Sequence, residues 1–284
     1  LQIENAFAFF DPQAGLYLGL SIVLLFLAKW AFNLRSSFDI NNELHQKDNK
    51  AVALSFTGYF LGIGYILWSL LQQESQAGLY SDLLAMTIWS AIGICLLLIA
   101  QYINDKLLFS TFCNTKELIE DRNVGTGAVE FGSFIGSAML ISSALSGEDA
   151  SSFLTSLVLV VLYFVFGQLS FISFGFIYQK MTSYDLHAEI EKDNVAAGLS
   201  FGLSLVAFAI LISSYINKYD SLAGLILWTI FSGLLLLGSR FIVDKLILPG
   251  AVLDQEITRD QNWGASLLEG ATATIIALIV ASIL

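Results

Sequence analysis

Long apolar runs alternate along this chain with two kinds of connection, one short and one long and charged. Eight runs are long enough to cross a bilayer as helices, at roughly 14–34, 51–72, 84–104, 124–146, 152–178, 195–216, 222–243 and 263–284. The connections after the second, fourth and sixth runs are short: Gln73 to Asp82, Gly147 to Ser151 and Asn217 to Ser221. Those after the odd-numbered runs carry most of the charge. The pattern predicts an all-α polytopic membrane protein with eight transmembrane helices.

The chain also repeats itself. Trp89, Asp105-Lys106, Glu117, Asp121, Asn123, Gly125 and Glu130 match Trp228, Asp244-Lys245, Glu256, Asp260, Asn262, Gly264 and Glu269 at one constant offset. Upstream, Lys47-Asp48-Asn49 with Leu54-Ser55-Phe56 matches Lys192-Asp193-Asn194 with Leu199-Ser200-Phe201. Two four-helix repeats, 1–146 and 147–284, follow. An even number of helices per repeat makes them parallel rather than inverted.

A finer period divides each repeat into two helical hairpins. Asn49, Asn123, Asn194 and Asn262 each open an even-numbered run, where an asparagine side chain suits a helix cap. Small residues follow at spacings that let helices pack closely: Gly58/Gly62, Gly132/Gly136, Gly198/Gly202 and Ser266/Gly270, with Gly15/Gly19 in the first run. Tight packing alone explains these glycines, and it points to the even helices as the inner set. Self-association is compatible with the same motifs.

Glu130 and Glu269 change the picture most. Each lies seven residues past its asparagine, about 10 Å along a helix and inside the hydrocarbon. An acid there is expensive and reads as an ion- or proton-binding group. The plainer reading is a neutral acid bonded to a neighbouring helix. If the even helices gather centrally, the repetition sets the two acids across an internal pseudo-axis. Ser55, Thr57, Thr126, Ser200, Thr272 and Thr274 could add hydroxyls to such a path, although packing explains each alone. Gln101, Tyr102 and Asn104 are expected to meet solvent at a helix end.

Charge sets the orientation. Of 13 Lys and Arg, 11 lie in or beside the four long connections, Lys29 can snorkel to the same side, and Lys218 stands opposite. The long connections are therefore expected in the cytoplasm and both termini in the periplasm. Trp30, Trp68, Trp89, Trp228 and Trp263 fall near run ends, as an interfacial belt requires. The chain is 56% hydrophobic and 13% charged, and its net charge of −11 with no basic domain speaks against nucleic acid. The lipid bilayer is its expected solvent.

Other chemistry is sparse. Cys95 and Cys113 have no CxxC or Cys/His spacing and read as free thiols. His45 and His187 read as solvated loop residues, and no metal site or cofactor is expected. The Asp-Lys pairs 105–106 and 244–245 read as interfacial anchors. Segments 106–122 and 245–260 read as short surface-lying pieces, the second broken at Pro249-Gly250. There is no GxSxG, HExxH or phosphate-binding glycine loop, so an enzyme is not expected. The sequence opens at Leu1 rather than Met, so the natural start is expected upstream; no signal peptide is recognisable.

The run Asp48-Asn49-Lys50-Ala51-Val52-Ala53-Leu54-Ser55-Phe56-Thr57-Gly58 recurs as Asp193-Asn194-Val195-Ala196-Ala197-Gly198-Leu199-Ser200-Phe201. This pattern resembles the YjfL-like family of bacterial inner-membrane proteins, domain of unknown function 350. The resemblance covers essentially the whole chain as two tandem copies. It implies an integral inner-membrane protein and supplies no activity, so the glutamates rest on membrane depth alone. The expected function is an ion- or proton-conducting channel or transporter. The alternative is a scaffold whose charged connections recruit a cytoplasmic protein partner in an envelope-stress assembly.

Overall fold

Each even-numbered run begins at an asparagine, extended in the first three, whose side-chain oxygen accepts from the first free N–H groups of the helix. Asn49 accepts from Ala51 and Val52, Asn123 from Thr126, Asn194 from Ala197 and Asn262 from Ala265. These donors have no partner within the helix, so the cap fixes where each helix starts.

The computed structural model describes residues 12–73, 78–108, 114–146, 152–219 and 221–284. Cys113 and the Gly147–Ser151 connection lie outside the described residues. Eight long helices are α1 (Pro12–Arg35), α3 (Lys50–Leu71), α4 (Leu79–Leu107), α6 (Val124–Leu145), α7 (Phe153–Met181), α9 (Val195–Lys218), α10 (Leu222–Ile242) and α12 (Trp263–Ile283). All eight are long and apolar enough to cross a membrane. Four short helices intervene: α2 (Ile40–His45), α5 (Asn114–Ile119), α8 (Leu186–Glu191) and α11 (Leu253–Thr258). The sequence predicts a surface piece only around α5 and α11. α10 continues as a π-helical turn, Val243–Ile247, until Gly250 at φ 98° turns the chain.

The inner helices do not gather around an axis. They stand in a row, α3 against α6, α6 against α9 and α9 against α12, with α3 and α12 at its ends. The outer helices α1, α4, α7 and α10 pack along this row. Small residues in adjacent inner helices explain the geometry, because each joint closes backbone to backbone. A Cβ on Gly132 would fall on the backbone of Gly202, and one on Gly58 on that of Phe131. Gly198 lies on Gly125, Gly62 on the Phe134 carbonyl and Ala138, and Gly136 under the Phe171 ring. Gly15 and Gly19 face open space instead, so α1 takes no such contact there.

A row rather than a bundle separates the two glutamates. Glu130 lies at the α3/α6 joint and Glu269 at the α9/α12 joint. The acids therefore do not face one another across an internal axis.

Candidate functional site

On the charged face, each asparagine belongs to a unit that the chain builds four times. An acidic residue followed by an aliphatic one lies five or six positions before each cap: Glu43-Leu44, Glu117-Leu118, Glu189-Ile190 and Glu256-Ile257. The asparagine N–H donates to that glutamate's carbonyl at 2.8–3.1 Å. Its Nδ2 donates to the glutamate carboxylate, at 3.1, 2.9, 3.0 and 2.9 Å in order. In the first three units Nδ2 also reaches the next unit, to the carbonyls of Leu118 (2.8 Å), Ile190 (2.7 Å) and Ile257 (2.9 Å). The residue before each asparagine is left-handed: Asp48, Arg122, Asp193 and Gln261 have φ between 46° and 61°. That turn hands Asp193 to the preceding inner helix, where its carboxylate accepts from Val124 N (2.7 Å) and Gly125 N (3.1 Å).

Deeper in, Glu130 is 3% exposed. It accepts from the Ser55 hydroxyl across the α3/α6 joint and from Asn114 Nδ2 at 3.1 Å. The same amide donates to Asp105 at 2.9 Å, so one asparagine holds both acids. Arg35 pairs loosely with Asp105 (3.7 Å) and donates to Gln101 Oε1 (2.8 Å), without reaching Glu130. A cleft of about 410 Å³ opens beside these groups and reaches Ser55 and Glu130. That volume holds several water molecules. Next to it, Asn104 donates to Ser133 (2.9 Å) and Ser137 (3.2 Å). The carbonyl oxygens of Asn104 and Asn114 are buried with no donor among the described residues. The site thus has more acceptors than donors. Phe32, Tyr59 and Phe134 pack together beyond it, with ring centroids 4.7–6.1 Å apart.

Glu269, 1% exposed, meets a different environment. Ser200 donates to it as Ser55 does to Glu130. Arg240 Nη1 pairs with it at 2.5 Å and also donates to the Tyr178 hydroxyl at 2.8 Å. The other arm of Arg240 reaches Asp254 at 2.5 Å. Arg240 occupies the position of Gln101, and Tyr178 that of Phe32. Those two exchanges fill the second joint with a cation and a hydroxyl. In the first joint the same space is the cleft.

Several residues sit differently from their sequence reading. Arg240, expected to mark a charged connection, is buried at 7% exposure because its charge is spent on two acids. Asn104 is buried rather than solvated, since α4 runs three residues past its expected end. In each Asp-Lys pair only the lysine faces out. Asp105 turns inward to Asn114, and Asp244 accepts from Leu253 N at 2.7 Å, docking α11. His187 is half-buried, with Nε2 on the Leu108 carbonyl at 2.9 Å, whereas His45 is exposed. Cys95 is an exposed free thiol. Among the described residues no His, Cys, Asp and Glu cluster suits a metal ion.

The division into two halves has its counterpart in comparisons with known proteins. A family model described as Domain of Unknown Function (DUF350) matches residues 4–145 and again 152–284. The chain belongs to the DUF350 family. A UPF0719 transmembrane protein of Aquifex aeolicus (strain VF5) is 25% identical over 252 residues, 86% of this chain and 90% of that one. The UPF0719 transmembrane protein YshE of Bacillus subtilis (strain 168) is 29% identical over 106 residues, 37% of this chain and 78% of its own length. The second relative is thus about half as long as this DUF350 chain. No solved structure matches.

Proposed function

We propose that this DUF350 protein is a bacterial inner-membrane channel or transporter that binds a proton or alkali cation at Glu130. One observation carries the reading: a cleft reaches an intramembrane carboxylate that no cation among the described residues touches. The buried Asn104 and Asn114 carbonyls beside it also lack donors among the described residues. A small cation or a proton would complete that acceptor-rich shell. The distribution of Lys and Arg supports a cytoplasmic charged face, which makes the cleft the inner entry. The aromatic packing beyond Glu130 would close the outer side in this state.

Glu269 enters the reading as the sealed counterpart, already neutralised by Arg240. Flux of protons, potassium and sodium in proteoliposomes tests the proposal. Glu130→Gln should lower flux at least tenfold, and Glu269→Gln should leave most of it. A folded wild-type protein that passes none of these ions would overturn the reading. The Arg240 ion pair favours a second one, in which the membrane part is a rigid scaffold and the charged face recruits a cytoplasmic protein. Crosslinking in cells would then recover a stoichiometric partner.

A further inference from the structure

The three joints of the inner row are built alike, and the row ends with both halves of a fourth joint unfilled. At the α6/α9 joint, Asn123 Nδ2 donates to the Ile190 carbonyl, and Asp193 accepts from the N–H groups of Val124 and Gly125. The matched groups on α12 are Asn262, Trp263 and Gly264. Those matched to α8 and α9 are Leu44, on α2, and Asp48, at the start of α3. Asn262 is exposed where the other three asparagines are buried, and its Nδ2 reaches its own Glu256 but no second unit. Asp48 is exposed, and neither its carboxylate nor the Leu44 carbonyl has a partner among the described residues.

The helix faces correspond as well. α6 meets α9 through Gly125, Ala128, Gly132 and Gly136. Their counterparts Gly264, Leu267, Ala271 and Ile275 are all exposed on α12. On α9 the contact falls on Gly198, Gly202 and Ala209, matched on α3 by Ala53, Thr57 and Gly64; a Cβ on Gly64 meets only open space. Exposure of apolar residues in such a protein means contact with lipid and proves nothing alone. The polar groups at the membrane surface, with complementary donors at one end of the row and acceptors at the other, identify the occupant.

We propose that copies of this chain associate head to tail, α12 of one packing on α3 of the next. In that joint Asn262 donates to Leu44, and Asp48 caps Trp263 and Gly264, of adjoining copies. The contact is heterologous, so it closes into a ring or runs on as a row. Ala53 and Leu267 replace Gly198 and Ala128, which sets these helices farther apart than α6 and α9.

Disulfide trapping in native membranes tests this, in a Cys95→Ala, Cys113→Ser background. Thr57→Cys and Ala271→Cys occupy the positions of Gly202 and Gly132, whose backbones touch. Copies carrying both should form covalent dimers and higher multiples on oxidation. Copies carrying one each, when co-expressed, should stop at dimers, and either variant alone should not link. Asp48→Lys should cut the linked fraction at least tenfold. It disturbs no side-chain hydrogen bond or ion pair among the described residues, and the same left-handed position is held by Arg122 and Gln261 in sister units. Monomers throughout, with folded protein confirmed, would overturn the proposal. So would self-linking by a single variant, which signals a face-to-face dimer.

Discussion

Gln101 and Arg240 stand at matched positions of the two halves, and the exchange separates an open joint from a sealed one. A guanidinium at position 101 would lie within the same cleft as Glu130 and could pair with it as Arg240 pairs with Glu269. Gln101→Arg should therefore lower cation flux as far as Glu130→Gln does, at least tenfold, while leaving the fold intact. The reverse change has another cost. Arg240→Gln leaves the buried Glu269 and the half-buried Asp254 without their cation, and breaking one side of a buried ion pair costs about 3–5 kcal/mol. Thermal unfolding in detergent should show that loss for Arg240→Gln and a much smaller one for Gln101→Arg. The glutamates themselves were legible in the sequence, since an acid deep in an apolar run is conspicuous. Their unequal fates were not, because they depend on what Gln101, Arg240, Phe32 and Tyr178 place beside them. Arg240 carried a signal of its own: it lies inside the seventh apolar run, yet a count of basic residues by side absorbed it.

At the scale of elements, the cap units explain why short helices precede each inner helix. α2, α5, α8 and α11 each present a glutamate to an asparagine, and the first three asparagines tie their own units to the next. The repeating Glu-aliphatic pair before each asparagine was available in the sequence. A shorter spacing in the third unit, five residues rather than six, broke the register that a constant offset follows. Glu43 shows how these units respond to acid. Burial pushes its carboxyl up, but donation from the Lys47 ammonium at 2.6 Å and from Asn49 outweighs this and holds it below the ordinary 4.5. A carboxyl depressed in the folded state stabilises fully above its unfolded value and loses that contribution as pH falls through the folded one. Melting temperature should thus decline as pH drops below about 4.5. Glu43→Gln, which cannot titrate, should show a shallower decline from a lower starting point. An identical slope in the variant would remove Glu43 from this role.

At the scale of the whole molecule, the eight spans and the repeat follow from hydropathy and matched residues, whereas the row does not. Apolar patterning tells which face of a helix avoids water, but in lipid every face is free to do so, and small residues decide which faces meet. The joint between the halves is therefore a packing contact rather than a consequence of chain connectivity. Gly132 and Gly202 touch through their backbones there, and Asn123 and Asp193 bind across it at the charged surface. If that contact holds the halves together, residues 1–146 and 147–284 expressed as separate chains should assemble in the membrane. A tagged first half should then retain the second through detergent extraction. Gly132→Leu, which drives a side chain into the Gly202 backbone, should abolish that recovery. In the intact chain the same change should cost about 1–3 kcal/mol of stability, as overpacking does. Asp193→Ala removes only the two surface hydrogen bonds and should weaken recovery without eliminating it. Equal recovery for wild type and Gly132→Leu would mean that the outer helix α7, packed on α4 and α6, holds the halves together instead.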